Sequence, residues 1–140
     1  MKYFLDSNIF LRFYTDEKNN KVFQDCSKLF EIIKDGEIKA KTSHLVMAEV
    51  VWTLQSTYKA SKNQVSKVAT SVESIPNLKI EDDFVTNLAH QLFKDHSVKY
   101  IDALIASNPE IQSKKMTVVS YDKDFDKLGI KRLEPKDLIN

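Results

Sequence analysis

Residues 2–8 read Lys2-Tyr3-Phe4-Leu5-Asp6-Ser7-Asn8, and the abrupt change of character at Asp6 decides the fold class. The first four form a short, mostly apolar run of the kind that makes a buried strand. Asp6, Ser7 and Asn8 are good helix N-caps, and Ile9, Phe10 and Phe13 supply the apolar face of a helix behind them. A strand that passes directly into a helix is half of a β-α unit. Further along, Val22, Cys26, Leu29, Phe30 and Ile33 fall at helical spacing between Lys21 and Lys34, and Asp35-Gly36 stops that helix. Residues 38–41 predict a second strand. Thr42-Ser43 then cap a long helix to about Tyr58, and Ser61 starts another to about Ser74. Beyond the Pro76-Asn77 turn, Leu78 to Ile80 predict a third strand. Asp82 or Asp83 is expected to open a helix carrying Phe84, Val85, Leu88, Leu92 and Phe93. Another helix runs from about Tyr100 to Ala106 or beyond, and Pro109 leaves its continuation open. Met116 to Val119 predict a further strand, and Ile130 to Leu133 a last one at the edge.

Short apolar strands alternating with helices imply parallel β-α units. The expected architecture is one α/β domain over residues 1–140, an open parallel sheet of four to five strands with helices on both faces. In such sheets the functional crevice lies beyond the carboxyl ends of the strands. The residues just after the first strand and just after Met116–Val119 are therefore the ones to inspect.

Composition removes several alternatives. Gly36 and Gly129 are the only glycines, so no dinucleotide-binding, P-loop or nucleophile-elbow motif can be written. Any chemistry falls to side chains. Cys26 stands alone, and His44, His90 and His96 show no H-E-x-x-H spacing, which argues against a zinc enzyme. No apolar stretch approaches the roughly 20 residues that span a bilayer. The segment Met1 to Leu5 is too slight for a secretory signal, and a cytoplasmic location is expected. Twenty-one basic residues against 20 acidic ones give a net charge of +1. That is not the balance of a strongly basic nucleic-acid binder, although charge segregated on the surface would still leave a basic region.

Four carboxylates resist a purely structural account. Asp6 follows the first strand and Asp122 lies just past Met116–Val119, so a parallel sheet aims both at one edge. Each also has a plain local role available, Asp6 as a helix cap and Asp122 in an Asx-turn. Glu49 and Asp102 are different. They stand alone in the apolar helical runs Val46-Met47-Ala48-Glu49-Val50-Val51-Trp52 and Tyr100-Ile101-Asp102-Ala103-Leu104-Ile105-Ala106. Rotation of the helices would turn these acids to solvent, but apolar neighbours surround them on nearly all sides. Burying an unpaired carboxylate costs several kcal/mol, so each requires a compensating cation. A lysine or arginine would serve, but a divalent metal in the crevice fits better because Asp6 and Asp122 already point there. Converging acids without a metal would repel one another. Mg2+, or Mn2+ in its place, takes oxygen ligands and keeps several waters, so few carboxylates suffice.

At this point the ordered set resembles a known family. Asp6-Ser7-Asn8 after a first strand, Glu49 on a helix, Asp102-Ala103-Leu104-Ile105-Ala106, and Ser120-Tyr121-Asp122-Lys123-Asp124-Phe125 near the end are similar to the PIN-domain ribonuclease pattern. The resemblance covers essentially the whole chain, and VapC-type toxins of toxin–antitoxin pairs are the nearest subgroup. It implies a Mg2+- or Mn2+-dependent endoribonuclease in which Asp6, Glu49, Asp102 and Asp122 are the acidic quartet. Asp6 and Asp102 would be principal metal ligands, Asp122 would complete the shell, and Glu49 would orient or deprotonate water. Asp124 is a second candidate in the last motif, and Asn8 and Ser120 match supporting polar positions. For the substrate backbone the residues offer Arg12, on the helix after Asp6, and Lys123, with Lys114, Lys115, Lys131 and Arg132 as a wider basic rim. The resemblance further implies an RNA substrate, a small antitoxin partner and a homodimer. The aromatics Phe10, Phe13, Phe30, Trp52, Phe84 and Phe93 read mainly as core, with an exposed groove for a partner as the alternative for some of them.

Two rivals stand against the nuclease. One is a non-catalytic α/β RNA-binding or scaffold module that retains a metal site. The other is a phosphoacceptor receiver domain, which requires an Asp after a central strand; residues 41–43 offer none.

Overall fold

A computed structural model describes residues 1–140 and contains five strands and seven α-helices. The strands are β1 (Lys2–Leu5), β2 (Lys39–Thr42), β3 (Leu78–Ile80), β4 (Met116–Val119) and β5 (Arg132–Leu133). All pair in parallel, in the order β3-β2-β1-β4-β5. The chain builds outward from β1 through β2 to β3, then returns to the other side of β1 for β4 and β5. The strand order therefore reverses between β1 and β4, and a crevice opens at their carboxyl ends.

The helices are α1 (Ser7–Thr15), α2 (Lys21–Lys34), α3 (His44–Ser56), α4 (Lys62–Glu73), α5 (Thr86–Asp95), α6 (Tyr100–Ala106) and α7 (Pro109–Gln112). They pack as two groups. In one, α1 lies on α2 and α3, and α3 on α4; in the other, α5 lies on α6, and α7 on β4. In the single core cluster Phe4, Leu5, Ile9, Phe10, Leu29, Ile33, Val118, Val119 and Phe125 are fully buried. All four residues of β4 are buried, as expected for a strand covered on both faces. No helix is long and apolar enough to cross a membrane.

Three expectations need correction. Neither Asp82 nor Asp83 opens α5, which starts at Thr86 after an N-cap, Val85, that makes no side-chain bond. Asp82 is engaged elsewhere: its carboxylate accepts from the His44 backbone N–H at 2.8 Å and pairs with the His44 ring at 2.7 Å. It thereby satisfies an otherwise unpaired donor at the start of α3, where a negative charge is favoured. Phe84 and Val85 consequently precede the helix. Secondly, Trp52 is 68% and Phe93 45% exposed, so neither belongs to the core. Thirdly, the central strand is β1, not β2, and Asp6 does follow it. The absence of an Asp at residues 41–43 thus has no bearing on a receiver domain. The strand order, 3-2-1-4-5 rather than the receiver's 2-1-3-4-5, argues against that fold instead.

Candidate metal centre

Because β1 and β4 are neighbours, their ends set Asp6 beside Ser120. The Asp6 N–H donates to the Val119 carbonyl at 3.1 Å, and the Ser120 hydroxyl donates to Asp6 Oδ2 at 2.7 Å. Asn8 spans both: its Nδ2 donates to Asp6 Oδ2 at 3.2 Å and to Ser120 Oγ at 3.0 Å, and its Oδ1 accepts from Tyr121 N at 3.2 Å. Ser7 N donates to Asp6 Oδ1 at 2.8 Å, so the plain role of a cap for α1 is also fulfilled. Held in this way, Asp6 is only 4% exposed. Burial pushes its pKa up to about 6; the hydrogen bonds from Ser120 and Ser7 counter the rise and nearby Glu49 adds to it.

Asp102 lies in the first turn of α6 and is 1% exposed. Its Oδ2 is buried without any hydrogen-bond partner. Burial raises its pKa to about 7, with Lys99 opposing the rise and Asp6, Asp122 and Glu49 reinforcing it. Glu49, on α3, is half-buried rather than enclosed, because the face it shares with exposed Trp52 opens to solvent. The Ser7 hydroxyl donates to its Oε1. Asp122 makes the Asx-turn, its Oδ1 accepting from Asp124 N at 2.9 Å, while its own N–H donates to Ser120 Oγ at 3.0 Å. Its Oδ2 is left facing the crevice, 3.7 Å from Lys99 Nζ.

Carboxylate oxygens of Asp102, Asp122 and Asp124 lie within 4.8 Å of one another. Asp6 is not one of those three, although its charge is felt at Asp102. Asp124 therefore stands nearer to the other acids than its supporting role implied, with Lys127 Nζ 3.0 Å from its Oδ1. Two oxygens across a Mg2+ ion lie about 4.2 Å apart, close to the observed spread. The donors are all hard oxygens, with no Cys or His among them, a set that suits a hard divalent ion such as Mg2+ or Mn2+. The orphaned Asp102 Oδ2 is the atom that most needs a cation. The residues fit the ion.

Lys99 is the residue that sequence reasoning missed. Burial alone would lower its pKa, but Asp102, Glu49, Asp122 and Asp6 together outweigh that and raise it. The available signal was a lysine three residues before Asp102, at the N-cap of α6, where Ser, Thr or Asp is the stabilising choice. Among the basic residues proposed for substrate, Arg12 is exposed and lies 3.5 Å from Asp16, and Lys123 is exposed at the start of a 3₁₀ turn over Lys123–Leu128. Arg132 pairs with Asp126 and Glu134 and donates to the Ser120 carbonyl at 2.9 Å. It braces the loop after β4 rather than forming a free basic rim.

Across the chain, a family profile described as the PIN domain matches residues 3–131. The chain belongs to the PIN domain family. The domain is also similar in structure to VapBC2 from Rickettsia felis bound to a promoter DNA fragment, with 22% identity and a TM-score of 0.66 over 96% of this chain and 98% of that one. Mycobacterium tuberculosis VapC20, a sarcin-ricin loop cleaving toxin, aligns at 13% identity and TM-score 0.64, over 95% of this chain and 99% of that one. PAE2754 from Pyrobaculum aerophilum gives 14% identity and TM-score 0.64 over 99% and 92%. A search of curated proteins finds no significant sequence match. At these identities the structural neighbours establish a shared fold.

Proposed function

We propose that this PIN domain is a Mg2+- or Mn2+-dependent endoribonuclease and the toxin of a type II toxin–antitoxin pair, acting in the cytoplasm. The observation that carries the reading is the buried, unpartnered Oδ2 of Asp102, a member of the carboxylate cluster beside the point where the strand order reverses. Asp102 and Asp122 would hold the ion, with Asp124 or Asp6 completing the set. A divalent ion there supplies Lewis-acid activation of water and neutralises phosphate charge. The protein contributes the rest. Ser120 and Asn8 hold the Asp6 carboxylate in one orientation. Ser7 occupies Glu49 Oε1, which leaves Oε2 to accept the proton of an attacking water. Water adds to phosphorus as one P–O ester bond breaks, and the departing oxygen takes up a proton. Arg12 and Lys123 remain proposed contacts to the RNA backbone.

The fold shared with VapC toxins supports an antitoxin partner and a homodimer. So does the apolar surface left open at Trp52, Tyr58, Phe93 and Tyr100. A groove of about 300 Å³ lined by Tyr14, Leu54, Tyr58, Ala60 and Val68, between α1, α3 and α4, is the kind of surface a partner segment covers.

The test is incubation with structured RNA and Mg2+. Fragments should appear with wild-type protein and disappear with EDTA or with Asp102→Asn. Cleavage that persists in EDTA, or an Asp102→Asn variant of full activity, refutes the proposal. The non-catalytic RNA-binding or scaffold reading draws support from Lys99, which already places one positive charge beside Asp122. Retention of RNA without cleavage would favour it.

A further inference from the structure

Lys99 is a locally unfavourable choice that the fold nevertheless holds firmly. It is the N-cap of α6 yet makes no side-chain cap, and it sets a positive charge at a helix start, where the peptide dipoles favour a negative one. Its backbone is fixed on both sides: the preceding Val98 is buried, and the Lys99 carbonyl accepts from Ala103 N at 3.2 Å. One turn along the same face lies buried Asp102. The ammonium stands 3.7 Å from Asp122 Oδ2, while the side chain remains 61% exposed. That distance is too long for a committed hydrogen bond. The result is a cation anchored at the rim of the carboxylate cluster, reachable from solvent and not tied to one partner. The local rule is broken at the one helix start that borders the carboxylates, and departures of this kind concentrate at functional sites.

We propose that Lys99 is the phosphate-contacting residue of the site, its ammonium donating to a non-bridging oxygen of the scissile phosphodiester once the carboxylates are neutralised by a metal ion. The inference rests on the nuclease reading and deepens it. In the metal-free protein the acids attract Lys99, so lysine and metal compete for the same negative charge. With the ion bound, that attraction falls and the ammonium is left at the rim, where a phosphate anion would approach. No proton leaves Lys99; it acts as a fixed positive charge and hydrogen-bond donor to an oxygen that gains charge as phosphorus becomes five-coordinate.

Competition and substrate contact predict effects of opposite sign, which a merely structural role does not. In Lys99→Met, Mn2+ affinity measured by electron paramagnetic resonance without RNA should rise about tenfold. In the same variant kcat/KM for a single-stranded oligoribonucleotide should fall at least about tenfold, and the slope of log(kcat/KM) against log[salt] should shrink by about 0.7. Lys99→Arg should restore all three values to near wild type. If Lys99→Met leaves Mn2+ affinity and kcat/KM unchanged, or lowers both together, the assignment is wrong. Should wild-type protein cleave no RNA at all, the nuclease reading fails with it. Active wild-type protein indistinguishable from Lys99→Met would overturn the Lys99 role alone.

Discussion

At the scale of the residue, the two most buried site acids are buried in different ways, and their variants should differ accordingly. Asp102 Oδ2 has no partner to lose, and burial already raises its pKa to about 7. An amide there removes a charge that the metal-free protein pays to hold. Asp102→Asn, in EDTA at pH 8, should therefore melt above wild type, with a gain in stability on the order of 1–3 kcal/mol, while losing metal-dependent cleavage. Asp6 is bound on both oxygens, by Ser7 N on one and by Ser120 and Asn8 on the other. An amide there sets its NH2 against donors, so Asp6→Asn should melt below Asp102→Asn in the same thermal scan. Equal melting temperatures would mean that the orphaned oxygen carries no energetic weight. Ser120 offers a third measurement. Its hydroxyl donates to Asp6 and accepts from Asn8 and Asp122 N, all in a fully buried position. Ser120→Ala should cost about 1–3 kcal/mol in chemical denaturation; a loss below about 0.5 kcal/mol would contradict the network.

At the scale of the element, what was legible followed from local chemistry and what was missed followed from long-range pairing. Lys2–Leu5, Lys21–Lys34, Leu78–Ile80 and Met116–Val119 have the limits that apolar spacing and caps imply, and Tyr100–Ala106 has the expected start. The start of α5 was misplaced because Asp82, which is capable of capping it, is held by the N-terminus of α3 from the other side of a long connection. Exposure of Trp52 and Phe93 could not be read either, since helical spacing identifies a face but not what covers it. The site divides along the same line. Order and spacing single out the four acids, Asp6 and Asp122 by their place after strands and Glu49 and Asp102 as lone charges in apolar runs. Lys99 escaped because a single lysine at a helix start looks like solvated surface until Asp122 is seen 3.7 Å away. The weak start of α5 is itself testable. Val85→Thr keeps the shape of the side chain and adds an oxygen able to accept from the first turn. It should stabilise the protein by about 0.5–1 kcal/mol; an unchanged denaturation midpoint would show that α5 begins elsewhere.

At the scale of the whole molecule, a net charge of +1 conceals strong segregation. Carboxylates crowd the crevice after β1 and β4, while Lys2, Lys39, Lys41 and Lys79 line a separate hollow across β1, β2 and β3. The crowded end makes stability depend on pH in an unusual direction. Asp6 and Asp102 have folded pKa values of about 6 and about 7, both above the ordinary 3.8. Between pH 4 and 7 the folded state therefore binds more protons than the unfolded chain, and stability must fall as pH rises through that window, then level off above it. Glu110, whose pKa is lowered by its hydrogen bonds from Lys2 and Lys41, acts oppositely, but only as pH drops below its ordinary 4.5. Lys99 stays charged throughout, since its pKa is raised from 10.5. A divalent ion binds the ionised acids and so cancels the loss. Thermal scans with Mg2+ and with EDTA should nearly coincide at pH 5 and separate progressively toward pH 8, because only there does the metal relieve carboxylates that must ionise while buried. A separation that is the same at pH 5 and pH 8 would place the ion away from Asp6 and Asp102, and the nuclease chemistry would have to be sought elsewhere on the domain.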